Sequence, residues 1–340
     1  MSELLEPRER VNQIGRDAIE AELMEIMSTG ALSHGWIIKG PSGAGKATLA
    51  YRIARGLLDR SALRKAGGFD VDEGERVFRL VAADAHPDLF VLERPWDEKN
   101  NRYKADIPTD SVRDLISFLN QTAALGGARV AIIDTADDLN RNGANALLKV
   151  LEEPPKNTAL LLLSSSPGLL PATIRSRCKI LELRAVEDDA IVKLLAEEGL
   201  ATGVQARAIA DHAQGRPGLA LRLAAQDGAN AISMAHDFIT DIRNGNDITA
   251  IASLLSAKDA AESWVIFRET LLQSLLDAAR RGARRHDLEG PLAGVPTQHL
   301  LTAWEASSAL CARGEALNVD RAQLISALGH DLRHALSTSA

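Results

Sequence analysis

Trp36-Ile37-Ile38-Lys39-Gly40-Pro41-Ser42-Gly43-Ala44-Gly45-Lys46-Ala47-Thr48-Leu49-Ala50 leads from a short apolar run through a glycine-rich turn into a helix-forming segment. In that order the backbone N–H groups of the turn and the positive end of the helix converge on one point, and Lys46 reaches the outer phosphates of anything bound there. The pattern is that of a phosphate loop, with Gly40, Gly43, Gly45, Lys46, Ala47 and Thr48 as its phosphate-facing positions. One position departs from it. The residue after the lysine ordinarily supplies a hydroxyl to Mg²⁺, and here it is Ala47. Thr48 comes one residue too late to replace it, because successive side chains on a helix do not share a face.

Downstream, Arg129-Val130-Ala131-Ile132-Ile133-Asp134 reads as a fully buried strand ending on a carboxylate. In phosphate-loop proteins an acid at that place holds the water shell of Mg²⁺, so Asp134 joins Lys46 in one candidate site. Asn140 to Glu153 reads as a helix stopped by Pro154-Pro155, and Thr158–Leu163 as a further buried strand that delivers Ser164, Ser165 and Ser166. Asp88–Leu92 and Lys179–Leu183 complete the strands, and Thr109-Asp110-Ser111 is expected to cap a helix carrying Val112, Leu115, Ile116 and Leu119. Strands alternating with helices predict an α/β domain whose mostly parallel sheet is covered on both faces, with its ligand beyond the carboxyl ends of the strands.

Around this framework the pattern is less regular. A helix is expected before the first strand, with Ala18, Leu23, Ile26 and Met27 inward and Gly30 as its stop. The helix after the phosphate loop runs to about Asp59, with Leu49, Ile53, Leu57 and Leu58 inward and Arg52 and Arg55 solvated. Ser61 to Asp88 has no clear period and reads as an irregular or partly helical excursion, and Arg94–Lys104 as a surface loop. From about Gly228 to His334 every element reads helical, with the stripes Trp264, Phe267, Leu271, Leu275 and Leu300, Trp304, Cys311 as core.

The chain has 340 residues, enough for two or three domains, and a net charge of -7 that disfavours a protein coating nucleic acid by itself. No apolar run approaches the ~20 residues of a membrane helix. The opening Met1-Ser2-Glu3-Leu4-Leu5-Glu6 has no basic-then-apolar leader, so a cytoplasmic protein is expected, with Cys178 and Cys311 as thiols.

Four local matches make the chain resemble the AAA+ clamp-loader proteins of bacterial DNA polymerase III: Gly40–Thr48, Val130–Asp134, Asn145-Ala146-Leu147-Leu148-Lys149-Val150-Leu151-Glu152-Glu153-Pro154-Pro155, and Ser176-Arg177-Cys178. The resemblance implies a RecA-like AAA+ core over 1–184, a small helical lid over 185–226 and an all-helical collar over 227–340. It also implies a place in a hetero-pentamer with gamma/tau ATPase and delta subunits, which loads the sliding clamp onto primer-template DNA during replication. No membrane partner is implied.

Three departures from the active ATPases of that family fall together. Ala47 replaces the Mg²⁺ hydroxyl, Thr135 stands where the water-activating Glu would follow Asp134, and Gly218 in Gly215-Arg216-Pro217-Gly218-Leu219-Ala220-Leu221 stands where a phosphate-sensing arginine would be. Phosphoryl transfer rests on positioning and charge stabilisation, so losses of even ~2 kcal/mol each would slow it by orders of magnitude. The chain is therefore expected to be inactive as an ATPase and to require no cofactor, although ATP, ADP or phosphate could still occupy the degenerate loop. In the resembling subunits the arginine of Ser-Arg-Cys is presented to ATP on the neighbouring subunit, which makes Arg177 the arginine finger in trans and Arg175 a weaker candidate. No metal site is expected, since 61–88, where relatives carry a four-cysteine zinc module, contains no Cys. The alternative is an active clamp-loader motor whose metal site uses Thr48 and Asp137 or Asp138. The run Arg280-Arg281-Gly282-Ala283-Arg284-Arg285-His286 reads as a solvated helix end.

Overall fold

The computed structural model describes residues 4–28, 34–97, 102–103, 106–225, 228–257, 260–283, 290–317 and 319–336. The chain divides into two compact units, one of Ser2–Glu198 with Ala213–Ala220 and the other of Gly199–His212 with Leu221–Ala340.

The first unit carries strands β1 (Gly35–Lys39), β2 (Leu89–Leu92), β3 (Trp96–Asp97), β4 (Arg102–Tyr103), β5 (Arg129–Ile133), β6 (Thr158–Ser164) and β7 (Lys179–Glu182). Its helices are α1 (Asp17–Ser28), α2 (Lys46–Leu58), α3 (Arg60–Ala66), α4 (Arg76–Ala82), α5 (Thr109–Leu119), α6 (Arg141–Glu152), α7 (Ala172–Arg175) and α8 (Asp188–Glu197). Five strands form one parallel sheet in the order β2-β5-β6-β1-β7, and β3 and β4 pair separately as an antiparallel ribbon. Every residue of β5 and all but the first of β6 are buried. This is why both read as unbroken apolar runs: a parallel strand covered on two sides has no solvent face to make polar. Alternate residues serve two cores. Ile38, Val130, Ile132, Leu161 and Leu163 pack with Leu49, Ile53 and Leu57 of α2, while Ile37, Ala131, Ile133, Leu160 and Leu162 pack with Leu115 of α5 and Leu147 and Leu151 of α6. The result is the expected α/β core, a parallel sheet covered on both faces, with the carboxyl ends of β1, β6 and β5 side by side.

Helix α2 differs from its sequence reading on one side. Arg52 and Arg55 are not solvated but buried, at 1% and 0% exposure. Arg52 donates two hydrogen bonds to the carboxylate of Glu20, at 2.9 and 2.8 Å, and meets Asp70 at 2.7 Å. Arg55 donates to the carbonyls of Arg8 (3.1 Å) and Arg10 (2.5 Å) and lies over the Phe78 ring at 4.7 Å. The lead-in and the 61–88 segment cover this side, and the latter is more ordered than its composition suggests, forming α3 and α4. Asp59 caps α3 by accepting the amides of Ser61 and Ala62. Pro108, rather than the Thr109–Ser111 run, holds the N-cap position of α5, and Thr109 donates instead to Asn140 at 3.1 Å. Within the expected 94–104 loop, β3 and β4 pair antiparallel, while 98–101 and 104 lie outside the described residues. So do Gly30, Arg284, Arg285 and His286.

The second unit is helical among its described residues. It comprises most of α9 (Gly203–Ala213) and α10 (Pro217–Ala225), followed by α11 (Gly228–Asn244), α12 (Thr249–Leu255), α13 (Ala261–Ala283), α14 (Thr297–Ala316) and α15 (Arg321–Leu336). Its core gathers Phe238, Trp264, Phe267, Leu271, Leu275, Leu300 and Cys311 from both predicted stripes, with Trp304 partly buried against it. No helix among the described residues is long and apolar enough to cross a membrane.

Candidate functional site

The loop between β1 and α2 turns on two glycines with positive φ, Gly43 at 80° and Gly45 at 90°. Any other residue would be strained there, and a Cβ on Gly45 would stand 2.5 Å from Nε2 of Gln13. Two side chains from the lead-in fasten the loop by its carbonyls. Gln13 donates to Gly45 O at 2.8 Å, and the buried Arg16 donates to Ala44 O at 2.8 Å and to Arg184 O at 2.7 Å. Neither residue has a motif around it, so sequence reading missed both.

Lys46 does not extend toward an open phosphate position. Its ammonium donates to Gly40 O (2.8 Å), Pro41 O (3.1 Å) and Ser165 Oγ (2.8 Å). An ammonium has three N–H groups, so all of its donors are used within the protein. Burial holds its pKa below the ordinary lysine value against the opposing pull of Asp134 and Asp137. Ala47 offers no oxygen, and Thr48 is buried at 9% exposure. Asp134, just past β5, has its carboxyl pKa raised by burial, with the Thr135 amide and Lys46 pulling the other way. Thr135 sits in the left-handed region at φ 58° and donates to Asp134 O at 2.6 Å.

The acids proposed as substitute metal ligands are engaged elsewhere. Asp137 accepts from Ser164 Oγ at 2.5 Å and from the amides of Ser165 and Ser166 at 2.7 and 3.1 Å, tying down the end of β6. Asp138 meets Arg94 at 3.6 Å. Three donors thus converge on the carboxylate of Asp137, which the alternative reading names beside Thr48 and Asp138 as a substitute metal ligand.

The start of α10 closes over the same loop. Gly218 N donates to Gly43 O at 2.8 Å, and a Cβ added to Gly218 would stand 3.0 Å from that oxygen. From the other side, a Cβ on Gly43 would lie 2.8 Å from Leu219 N. Lacking a Cβ, Gly218 allows backbone-to-backbone packing onto the phosphate loop. In this arrangement Lys46 donates to Gly40 O, Pro41 O and Ser165 Oγ, and the Gly43 carbonyl accepts the Gly218 amide.

At the far end of the core, Ser176-Arg177-Cys178 follows α7. Arg175 is turned inward, its Nη1 donating to the carbonyls of Pro167, Gly168 and Leu170 at 3.1, 3.3 and 2.8 Å. Arg177 is on the surface. Its guanidinium donates to Thr173 O at 2.9 Å and meets Glu152, at the end of α6, at 2.6 Å, with side-chain exposures of 35% and 50%. Burial pushes the Cys178 thiol up to about 11. A Cβ on Gly35 would stand 3.1 Å from Cys178 Sγ, so the cysteine packs against the first residue of β1.

A family profile described as "DNA polymerase III, delta subunit" matches residues 15–187, which contain the residues of this site other than Gln13 and the Gly218 turn. The DNA polymerase III subunit delta' of Yersinia pestis is 30% identical over 259 residues, covering 75% of this chain and 73% of that protein. The chain belongs to the DNA polymerase III delta-prime family. The delta' subunit of Pseudomonas aeruginosa is 45% identical over 147 residues, 43% of this chain, although the chain spans only 42% of that protein's length. The DNA polymerase III subunit tau of Escherichia coli K12 is 28% identical over 185 residues, 54% of this chain and 27% of that protein. The chain keeps the glycine turn, the lysine and the strand-end aspartate of a phosphate loop, and its lysine donates back to the loop carbonyls of Gly40 and Pro41. Of the residues singled out from sequence, Gly40, Gly43, Gly45, Lys46 and Asp134 come together at the carboxyl ends of β1 and β5, whereas Arg177 stands apart with Glu152.

Proposed function

We propose that this chain serves in the DNA polymerase III clamp loader without hydrolysing ATP itself, and lends Arg177 to ATP held on a neighbouring ATPase subunit. The observation that carries the reading is the saturated ammonium of Lys46, with its three acceptors within 3.1 Å. A phosphate-loop lysine works only if it can bond to the phosphates. The loss of the hydroxyl at Ala47 and the docking of Gly218 on Gly43 act in the same direction. The chain then requires no cofactor of its own.

Arg177 is suited to the opposite role. An exposed ion pair such as Arg177–Glu152 contributes about 0–1 kcal/mol, whereas a guanidinium facing a transferred phosphoryl group contributes several orders of magnitude in rate. Exchange of Glu152 for a neighbour's phosphate is therefore favourable once the subunits dock. Arg175 lacks this freedom. In this proposal the neighbour is a gamma or tau subunit in a hetero-pentamer that also holds delta, and the sliding clamp and primer-template DNA are met through the complex in the cytoplasm. Residues 185–226 act as lid and 227–340 as collar.

The test uses the isolated chain with ATP and Mg²⁺. No turnover above background is expected, and millimolar ATP is expected to leave the melting temperature unchanged. Turnover at the rate of a competent ATPase, abolished by Lys46→Ala, would replace this reading with that of a motor subunit.

A further inference from the structure

At the end of the sheet where the strands begin, opposite the phosphate loop, a cavity of about 440 Å³ lies between the end of α2, the starts of α3 and α4, and the turn that precedes β5. It plays no part in the function proposed above. Its lining combines the apolar residues Leu80 and Leu125 with Arg60, Arg76 and His86. Gly127 shapes it: a Cβ there would stand 2.2 Å from Leu58 O, so only glycine lets this turn close against α2.

Apart from Asn157, which carries both a donor and an acceptor, and Asp59, the polar side chains of the lining are donors. Arg60 and Arg76 are exposed and make no side-chain hydrogen bond or ion pair among the described residues. His86 is buried at 7% exposure, and its Nδ1 accepts the Asp88 amide at 3.2 Å, which leaves Nε2 as the N–H donor of the neutral ring. The lining's one acid, Asp59, is turned to α3, accepting Ser61 N at 2.9 Å, Ser61 Oγ at 2.5 Å and Ala62 N at 3.2 Å. Two unpaired guanidinium forks match a phosphate dianion better than a single carboxylate. The volume falls in the range of small-molecule sites, roughly 300–1,000 Å³.

We infer that this cavity binds a small phosphomonoester of mononucleotide size, its phosphate held between Arg60 and Arg76 and its body against Leu80 and Leu125. Titration calorimetry on the full chain tests this with adenosine monophosphate, inorganic phosphate and adenosine as probes. Saturable binding of the monophosphate is expected, with weaker binding of phosphate and weaker still of adenosine. Arg60→Ala and Arg76→Ala should each weaken the monophosphate by about tenfold or more, the usual consequence of losing one charged hydrogen-bond donor. Arg79→Ala, on α4 but outside the cavity, controls for net charge and should leave affinity unchanged, and unaltered melting curves will show that the variants fold. Absence of saturable binding at millimolar ligand would overturn the inference. So would inorganic phosphate binding as tightly as the monophosphate, or binding lost in Lys46→Ala but kept in Arg60→Ala, which would place the ligand in the phosphate loop.

Discussion

Lys46→Met separates a structural lysine from one that serves a nucleotide. The variant keeps the aliphatic stem and removes three donated bonds, to Gly40 O, Pro41 O and Ser165 Oγ. The bonds to Pro41 and Ser165 lie at exposed positions, where water replaces the lost donor at little cost, while the bond to Gly40 O is part-buried. With about 0.5–1.5 kcal/mol net for an ordinary intramolecular hydrogen bond, and the exposed ones near the bottom of that range, the sum is about 1–2 kcal/mol. For a unit of this size that lowers the melting temperature by about 2–8 °C. Differential scanning calorimetry reads the shift, and ATP turnover of a complex reconstituted with saturating variant reads function. A modest melting shift with normal turnover by the complex is expected. An unshifted melting curve together with collapsed turnover would refute the reasoning, since it would mean that the lysine contacts nucleotide rather than its own loop.

Arg55→Met removes the bonds to Arg8 O and Arg10 O from a fully buried position, leaving two carbonyls unpaired, and should destabilise by about 2–4 kcal/mol in chemical denaturation. Gly218→Arg restores the missing sensing arginine but forces a Cβ to 3.0 Å from Gly43 O; a loss of about 1–3 kcal/mol without gain of ATP turnover is expected from thermal and turnover assays. For Asp134, burial raises the folded-state pKa above the ordinary carboxylate value, so the folded protein holds this proton more tightly than the unfolded chain does. Stability from this group accordingly falls as pH rises from the unfolded pKa through the folded one. Asp134→Asn should therefore be more stable than the parent at neutral pH, with a gap that closes on acidification toward the unfolded carboxylate range, as pH-dependent urea denaturation would show.

The sheet was legible because its chemistry is local. Val130–Ile133 and Leu160–Leu163 are apolar at consecutive positions, which only a doubly covered strand requires, and Gly43 and Gly45 mark a turn that other residues cannot make. Asn140 was readable as a helix start because its side chain caps within its own segment, accepting Gly143 N at 2.8 Å. What escaped was long-range. Arg52 and Arg55 carry the polarity of a solvent face, and their burial follows from Glu20, Asp70 and the carbonyls of Arg8 and Arg10, none of them near in sequence. The same holds at the site. Ala47, Thr135 and Gly218 can be read by identity alone, but the contacts of Ser165 with Lys46 and of Gly218 with Gly43 run across 119 and 175 residues of chain. The Arg177–Glu152 pair joins two recognised motifs, yet neither motif specifies that its charge faces the other.

The central claim is that the chain lacks chemistry of its own and completes a neighbour's. ATP turnover by tau or gamma with delta, measured without this chain, with the wild type and with Arg177→Ala, tests it most directly. An arginine finger contributes about 10³-fold or more at its interface. The account predicts that wild type stimulates turnover and that Arg177→Ala assembles normally but gives no stimulation. Full stimulation by Arg177→Ala would contradict it.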